Sequence, residues 1–138
     1  MTDADLVRKR LAFIETCLRE LRTLGRPERI ATDIREERFI EHTLQLAIQA
    51  ALDVASHIVS DERLGEPATN HELFDLLARA GWIAPAQCMV LRKMVGFRNL
   101  VVHAYLAVNL ELLREIVEHR LGDLQEFVDV IRGRLPAD

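Results

Sequence analysis

Gly96-Phe97-Arg98-Asn99-Leu100-Val101-Val102-His103-Ala104-Tyr105 holds the chain's only Tyr and sets an Arg, an Asn and a His into an otherwise apolar run. At about 100° per residue, the turn of a helix, it sorts into two faces. Leu91, Met94, Val95, Val101, Val102 and Tyr105 form a stripe, and Arg98 falls in the middle of it. Gly96, Asn99 and His103 stand on another side, with Asn99 and His103 one turn apart. A guanidinium keeps its charge, so an Arg in phase with core residues needs an acceptor or a wet cleft. Such a conflict between pattern and residue marks a candidate site.

Outward from this stretch, every neighbouring segment also reads as helix. Pro85 suits a first helical turn, where its missing N–H has no partner to lose. Before it, Thr69-Asn70-His71-Glu72 predicts a capping box for a short helix that ends at Gly81. After it, Asn109 is the expected N-cap of a last helix with the stripe Leu110, Leu113, Val117, Leu121, Leu124, Val128 and Ile131. Towards the start, Val7, Leu11, Ile14, Leu18 and Leu21 repeat as a packing seam. Gly25 and Pro27 predict a left-handed cap and a stop. A second helix begins near Thr32 or Asp33 and runs on the stripe Ile40, Leu44, Ala47, Ala51, Ala55 and Ile58. Gly65 and Pro67 should close it, and a length of ~45 Å suggests that part of it serves an interface. No segment alternates with period two. The expected fold is all-α, an antiparallel bundle of about five helices in one domain spanning 1–138.

The chain has 138 residues, 49% hydrophobic and 29% charged, with six Gly and four Pro, which suits a compact helical protein. No apolar run approaches the ~20 residues of a membrane span, and the N-terminus lacks signal-peptide character. Cys17 and Cys88 make neither a disulfide framework nor a zinc motif, so a reducing cytoplasm is the expected location. A net charge of −4 argues against a sequence-blind polyanion binder but leaves room for a local basic cleft. No cofactor loop, metal-ligand spacing or Ser or Cys nucleophile signature is present.

The spacing Arg-x4-His-x-Tyr, in the form Arg98-Asn99-Leu100-Val101-Val102-His103-Ala104-Tyr105, resembles the HepT-like toxins of the HEPN superfamily. The likeness extends through Leu76–Ile83, Met94–Phe97 and Leu44–Ala50, and so over nearly the whole chain. It implies a small helical ribonuclease, a homodimer, partnered by a nucleotidyltransferase antitoxin of the MntA type. It also implies that Tyr105 receives AMP from that antitoxin and is thereby silenced.

The residues suit that chemistry. A histidine titrates near neutrality and can take a proton from a ribose 2′-OH or give one to the 5′-oxygen. Arg98 would stabilise charge on phosphorus, and Asn99 would donate to a phosphate oxygen or orient His103. Arg98 and His103 would point about 140° apart on a regular helix, so they share a phosphate only if the helix loosens or a cleft wraps its end. The motif supplies one His where an acid and a base are needed, and a twofold dimer would supply two. The expected catalytic set is Arg98, Asn99 and His103, acting on RNA without a metal. The alternative is a catalytically silent helical module that binds a nucleotide or a nucleotidyltransferase. Taken alone, an Arg and a His five apart are more often an ion pair and an ordinary histidine. Asp53 and His57, one turn apart, read as a solvated or interface hydrogen-bonded pair, or as support behind the cleft; His42, His71 and His119 read as surface residues, and Arg38 could border an RNA cleft.

Overall fold

The computed structural model describes residues 2–104 and 108–136. Tyr105, expected to end the apolar stripe and to act as a control point, lies outside these residues. The described residues form six α-helices and no strand: α1 (Ala4–Leu24), α2 (Ile34–Asp61), α3 (Asn70–Arg79), α4 (Pro85–His103), α5 (Leu110–His119) and α6 (Leu121–Arg134). One 3-10 turn, Pro27–Arg29, links α1 to α2.

Asp3 caps α1 by accepting the Leu6 N–H at 3.2 Å, and all five residues of the expected seam are buried. The Asp3 N–H in turn donates to the Asp61 carboxylate at 3.2 Å. The start of α1 therefore lies at the end of α2, and the two helices form an antiparallel hairpin. Gly25 departs from expectation. Its φ of −69° is extended rather than left-handed. Glycine is needed there for closeness, because a Cβ would sit 2.4 Å from the Leu21 carbonyl oxygen.

Asp33 caps α2 as expected, accepting the Arg35 N–H at 2.9 Å. Burial runs around this helix from Ile40 to Val59, and every other α-helix packs on it. α2 is thus the central post of the bundle. It ends at Asp61, with Glu62 as cap and Arg63 in a left-handed turn, a few residues before Gly65 and Pro67.

The expected capping box before α3 does not close. Thr69 caps without a side-chain bond, while the Glu72 carboxylate reaches back to the Ala68 N–H at 2.5 Å. Pro85 opens α4, and Asn109 caps α5 by accepting the Glu111 and Leu112 N–H groups at 2.9 and 3.1 Å. The expected single last helix is broken at Arg120, although its apolar repeat passes through; Gly122 lies just beyond the break, in the first turn of α6. At φ −120° and ψ 2°, this one residue redirects the chain. Its effect is to let α5 pack on the 3-10 turn and α2 while α6 packs on α1 and α4. Phe127 of α6 meets Phe74 of α3 edge-on, 5.8 Å between ring centres. Arg132 clasps Glu15 of α1 with two bonds, 2.5 and 3.2 Å, and this guanidinium holds the Glu15 carboxyl below the usual range.

Candidate active site

Helix α4 carries the motif, and its regularity decides where each side chain goes. Leu91, Met94 and Val95 are buried, and Phe97 joins them. Beyond Arg98 the burial fades: Val101 is half-buried and Val102 is 41% exposed, so the expected stripe does not stay closed to its end. Arg98 sits at this transition, half-buried. Its Nη1 donates to the Asn99 side-chain oxygen at 3.0 Å, and its Nε is buried with no hydrogen-bond partner. An unsatisfied buried donor costs about 1–3 kcal/mol, a cost commonly found at functional sites. Asn99 is therefore bonded to Arg98 and not to His103.

His103 is exposed and is the last residue of α4. The helix does not loosen before it: the Ala104 N–H still bonds the Leu100 carbonyl at 2.8 Å. Arg98 and His103 are thus held about 140° apart and roughly 7.5 Å along the axis. Within one chain the structure does not bring them onto one face. His103 instead shares a face with Met89, Lys93, Gly96 and Leu100, at successive helical turns. This face borders an apolar cleft of about 560 Å³ whose opposite wall is Leu112, Glu115 and Ile116 of α5.

Gly96 leaves room on this side, as expected. The nearest atom to a Cβ placed there is Nε2 of His71, at 4.0 Å. His71 is therefore not a plain surface residue but stands half-buried against the motif helix. His42 and His119 are exposed as expected. Asp53 does not pair with His57: it accepts from the Gln49 side-chain N–H at 3.0 Å. Cys17 and Cys88 are buried free thiols, each pushed up to about 11 by burial, with Glu20 adding to the first and Asp75 to the second.

Residues 14–131 match the family described as Ribonuclease HepT-like. The chain belongs to this ribonuclease family. It is 32% identical over 130 residues to the mRNA nuclease HepT of Shewanella oneidensis, covering 94% of this chain and 98% of that one. It is also 32% identical over 74 residues to the tRNA nuclease HepT of Aphanizomenon flos-aquae, 54% of this chain and 50% of that one. In three dimensions it resembles the tri-AMPylated Shewanella oneidensis HEPN toxin in complex with MNT antitoxin, with a TM-score of 0.88 and 31% identity. That likeness covers 97% of this chain and 100% of the toxin chain.

A second cleft lies beside the same helix; of its lining only Arg38 was expected at a cleft. Val101 of α4 lies across from Arg38, Glu41 and His42 of α2, around a space of about 460 Å³. Glu41 is only 9% exposed. Burial first, then the nearby Glu37, raises its carboxyl above the usual range, with Arg38 opposing. The available signal was phase: Glu41 stands three and seven residues before Leu44 and Ile48, in line with buried positions. No helix among the described residues is long and apolar enough to cross a membrane.

Proposed function

We propose that the chain is the toxin of a toxin–antitoxin pair, an endoribonuclease that cuts RNA by attack of the substrate's own 2′-OH. The 2′-oxygen forms a bond to the adjacent phosphorus as its proton passes to one histidine. The bond from phosphorus to the 5′-oxygen breaks, and a second proton donor caps that oxygen. The products are a 2′,3′-cyclic phosphate and a 5′-OH. Arg98 carries the charge that gathers on the phosphoryl oxygens, and His103 exchanges the protons. The observation that carries this reading is Arg98 itself, steered by Asn99 and left with a buried Nε that has no partner. A catalytically silent module would gain nothing from keeping that donor unsatisfied.

The substrate supplies the nucleophile and Arg98 and His103 supply the charge and the proton transfer, a set that needs no metal. Two proton-transfer groups are required and each chain offers one His103. A homodimer joined along the α4–α5 cleft supplies both, which is supported by the exposed Met89, Leu100 and Leu112 on that face. The antitoxin is a nucleotidyltransferase of the MntA type, and Tyr105 is its target. The phenol oxygen attacks the α-phosphorus of ATP, pyrophosphate leaves, and AMP remains on Tyr105. Support comes from the tri-AMPylated state of the Shewanella toxin and from residue content. Tyr105 is the only Tyr, and no Ser or Thr follows Asn70.

The test is to incubate purified protein with RNA in EDTA and identify the ends. Cleavage with a 2′,3′-cyclic phosphate is expected. Cutting of DNA, or a loss of cutting that Mg²⁺ restores, would overturn the reading. For the antitoxin arm, Tyr105→Phe should cleave RNA yet gain no AMP when coexpressed with the nucleotidyltransferase. An unmodified Tyr105 in a fully neutralised wild-type complex would remove this mechanism.

A further inference from the structure

Among the described residues, Glu41 is a buried carboxylate. It lies on the central helix α2, nine-tenths buried, and among the described residues it accepts no hydrogen bond. Burying a carboxylate without a partner is unfavourable, and a Gln or Leu would pack the same space. Arg38 and His42 stand close in sequence but are exposed, and neither bonds to it. The carboxyl faces the 460 Å³ cleft instead, a volume ordinary for a small-molecule site. Across that cleft are Val101, Val108 and Leu110, so the walls are apolar while the α2 side carries charge.

Glu37 also lines the cleft, so a ligand for this slot needs an apolar face, hydrogen-bond donors on one edge and any negative group held at the Arg38 and His42 side, clear of Glu37. A cationic protein side chain would satisfy Glu41 but would be repelled by Arg38. A nucleotide satisfies all three features. Its base lies against the valines and leucine, its edge donates to Glu41, and its phosphate meets Arg38 and His42 at the rim. Guanine fits best, because N1–H and the 2-amino group present two adjacent donors to the two carboxylate oxygens. Uracil offers a single N–H between two acceptors and is disfavoured. Val101 also fixes the slot's place along the RNA, because it sits one turn past Arg98 and two residues before His103.

We propose that the Glu41 slot reads one base of the RNA beside the scissile phosphate, with a preference for guanine. The inference rests on the ribonuclease reading above, since it assigns that reaction its specificity. Unstacked bases of single-stranded RNA are commonly recognised through edge hydrogen bonds of this kind.

A randomised single-stranded RNA pool is cut with wild-type protein and with Glu41→Gln, and the new ends are sequenced. Wild type is expected to enrich guanine at one position flanking the cut. Glu41→Gln should still cut but lose about tenfold of that preference, the range of one good bidentate base contact. Identical base distributions for the two proteins would overturn the proposal, including the case in which Glu41→Gln instead loses its antitoxin. If wild type cuts no RNA at all, the ribonuclease reading falls and this inference with it. A second measurement needs no variant: GMP and UMP are titrated against wild-type protein while the methyl NMR signals of Val101 and Val108 are followed. GMP should move them and UMP should not, and equal or absent shifts count against the slot.

Discussion

Arg98 and His103 differ in how the fold treats them, and their variants should differ in consequence as well. His103 is exposed at the end of α4, so His103→Ala removes an imidazole without opening the core. Its expected effect is a loss of about 10²–10⁴-fold in cleavage, with helical circular dichroism unchanged. Arg98→Ala removes the partner of Asn99 and a donor that is buried and unsatisfied, so its stability should hold or rise slightly while cleavage is lost. A folded His103→Ala that cuts at the normal rate would refute the catalytic assignment. At this scale the sequence was informative where a residue broke its own helical phase, as Arg98 does. Partner choice was not legible, since Asn99 could have faced either Arg98 or His103. The Asp53–His57 spacing equally allowed a bond that Gln49 makes instead. Glu41 broke phase in the same way as Arg98 but was hidden in a helix whose apolar residues cover most of its circumference.

Among the elements, apolar spacing and caps located α1 to α4, while α5 and α6 read as a single helix. The seam of α1 and the stripe of α2 are buried residue for residue as their spacing requires. The break between α5 and α6 was not readable, because Leu113, Val117, Leu121 and Leu124 keep step across it. The packing of α5 on the 3-10 turn and of α6 on α1 is a tertiary demand that no local residue announces. Gly25 shows the opposite case, in which the residue was flagged for the wrong reason. Its backbone is ordinary, and the constraint is the Leu21 carbonyl 2.4 Å from where a Cβ would be. Gly25→Ala must therefore push apart the end of α1 and the turn that leads into α2. The expected cost is about 1–3 kcal/mol in denaturant unfolding, typical of overpacking against rigid backbone. A left-handed cap would also penalise Ala, so the discriminating change is Gly25→Asn. Asn is tolerated in a left-handed cap but clashes here, and should be at least as destabilising as Ala.

On the whole-molecule scale, one chain holds Arg98 and His103 about 140° apart on a regular helix, so a site that uses both requires help from outside. The face that bears His103 also bears Met89, 63% exposed, and Leu100, 40% exposed, beside the α4–α5 cleft. A twofold contact along it would bring two copies of His103 together and shield the apolar surface, with about 800 Å² per partner as the usual size for such an interface. Two consequences can be measured separately. Met89→Asp, at a site well exposed in the single chain, should shift the protein from dimer to monomer in sedimentation and reduce cleavage in proportion. The sharper measurement uses mixed dimers, made by coexpressing differently tagged wild-type and His103→Ala chains and purifying on both tags. If one site draws its acid and its base from two copies, a dimer with a single His103 lacks one of them. Its activity should fall close to that of the double mutant, far below half of wild type. Independent sites would leave half the wild-type rate, and that result would dismiss the shared site even if the dimer itself were confirmed.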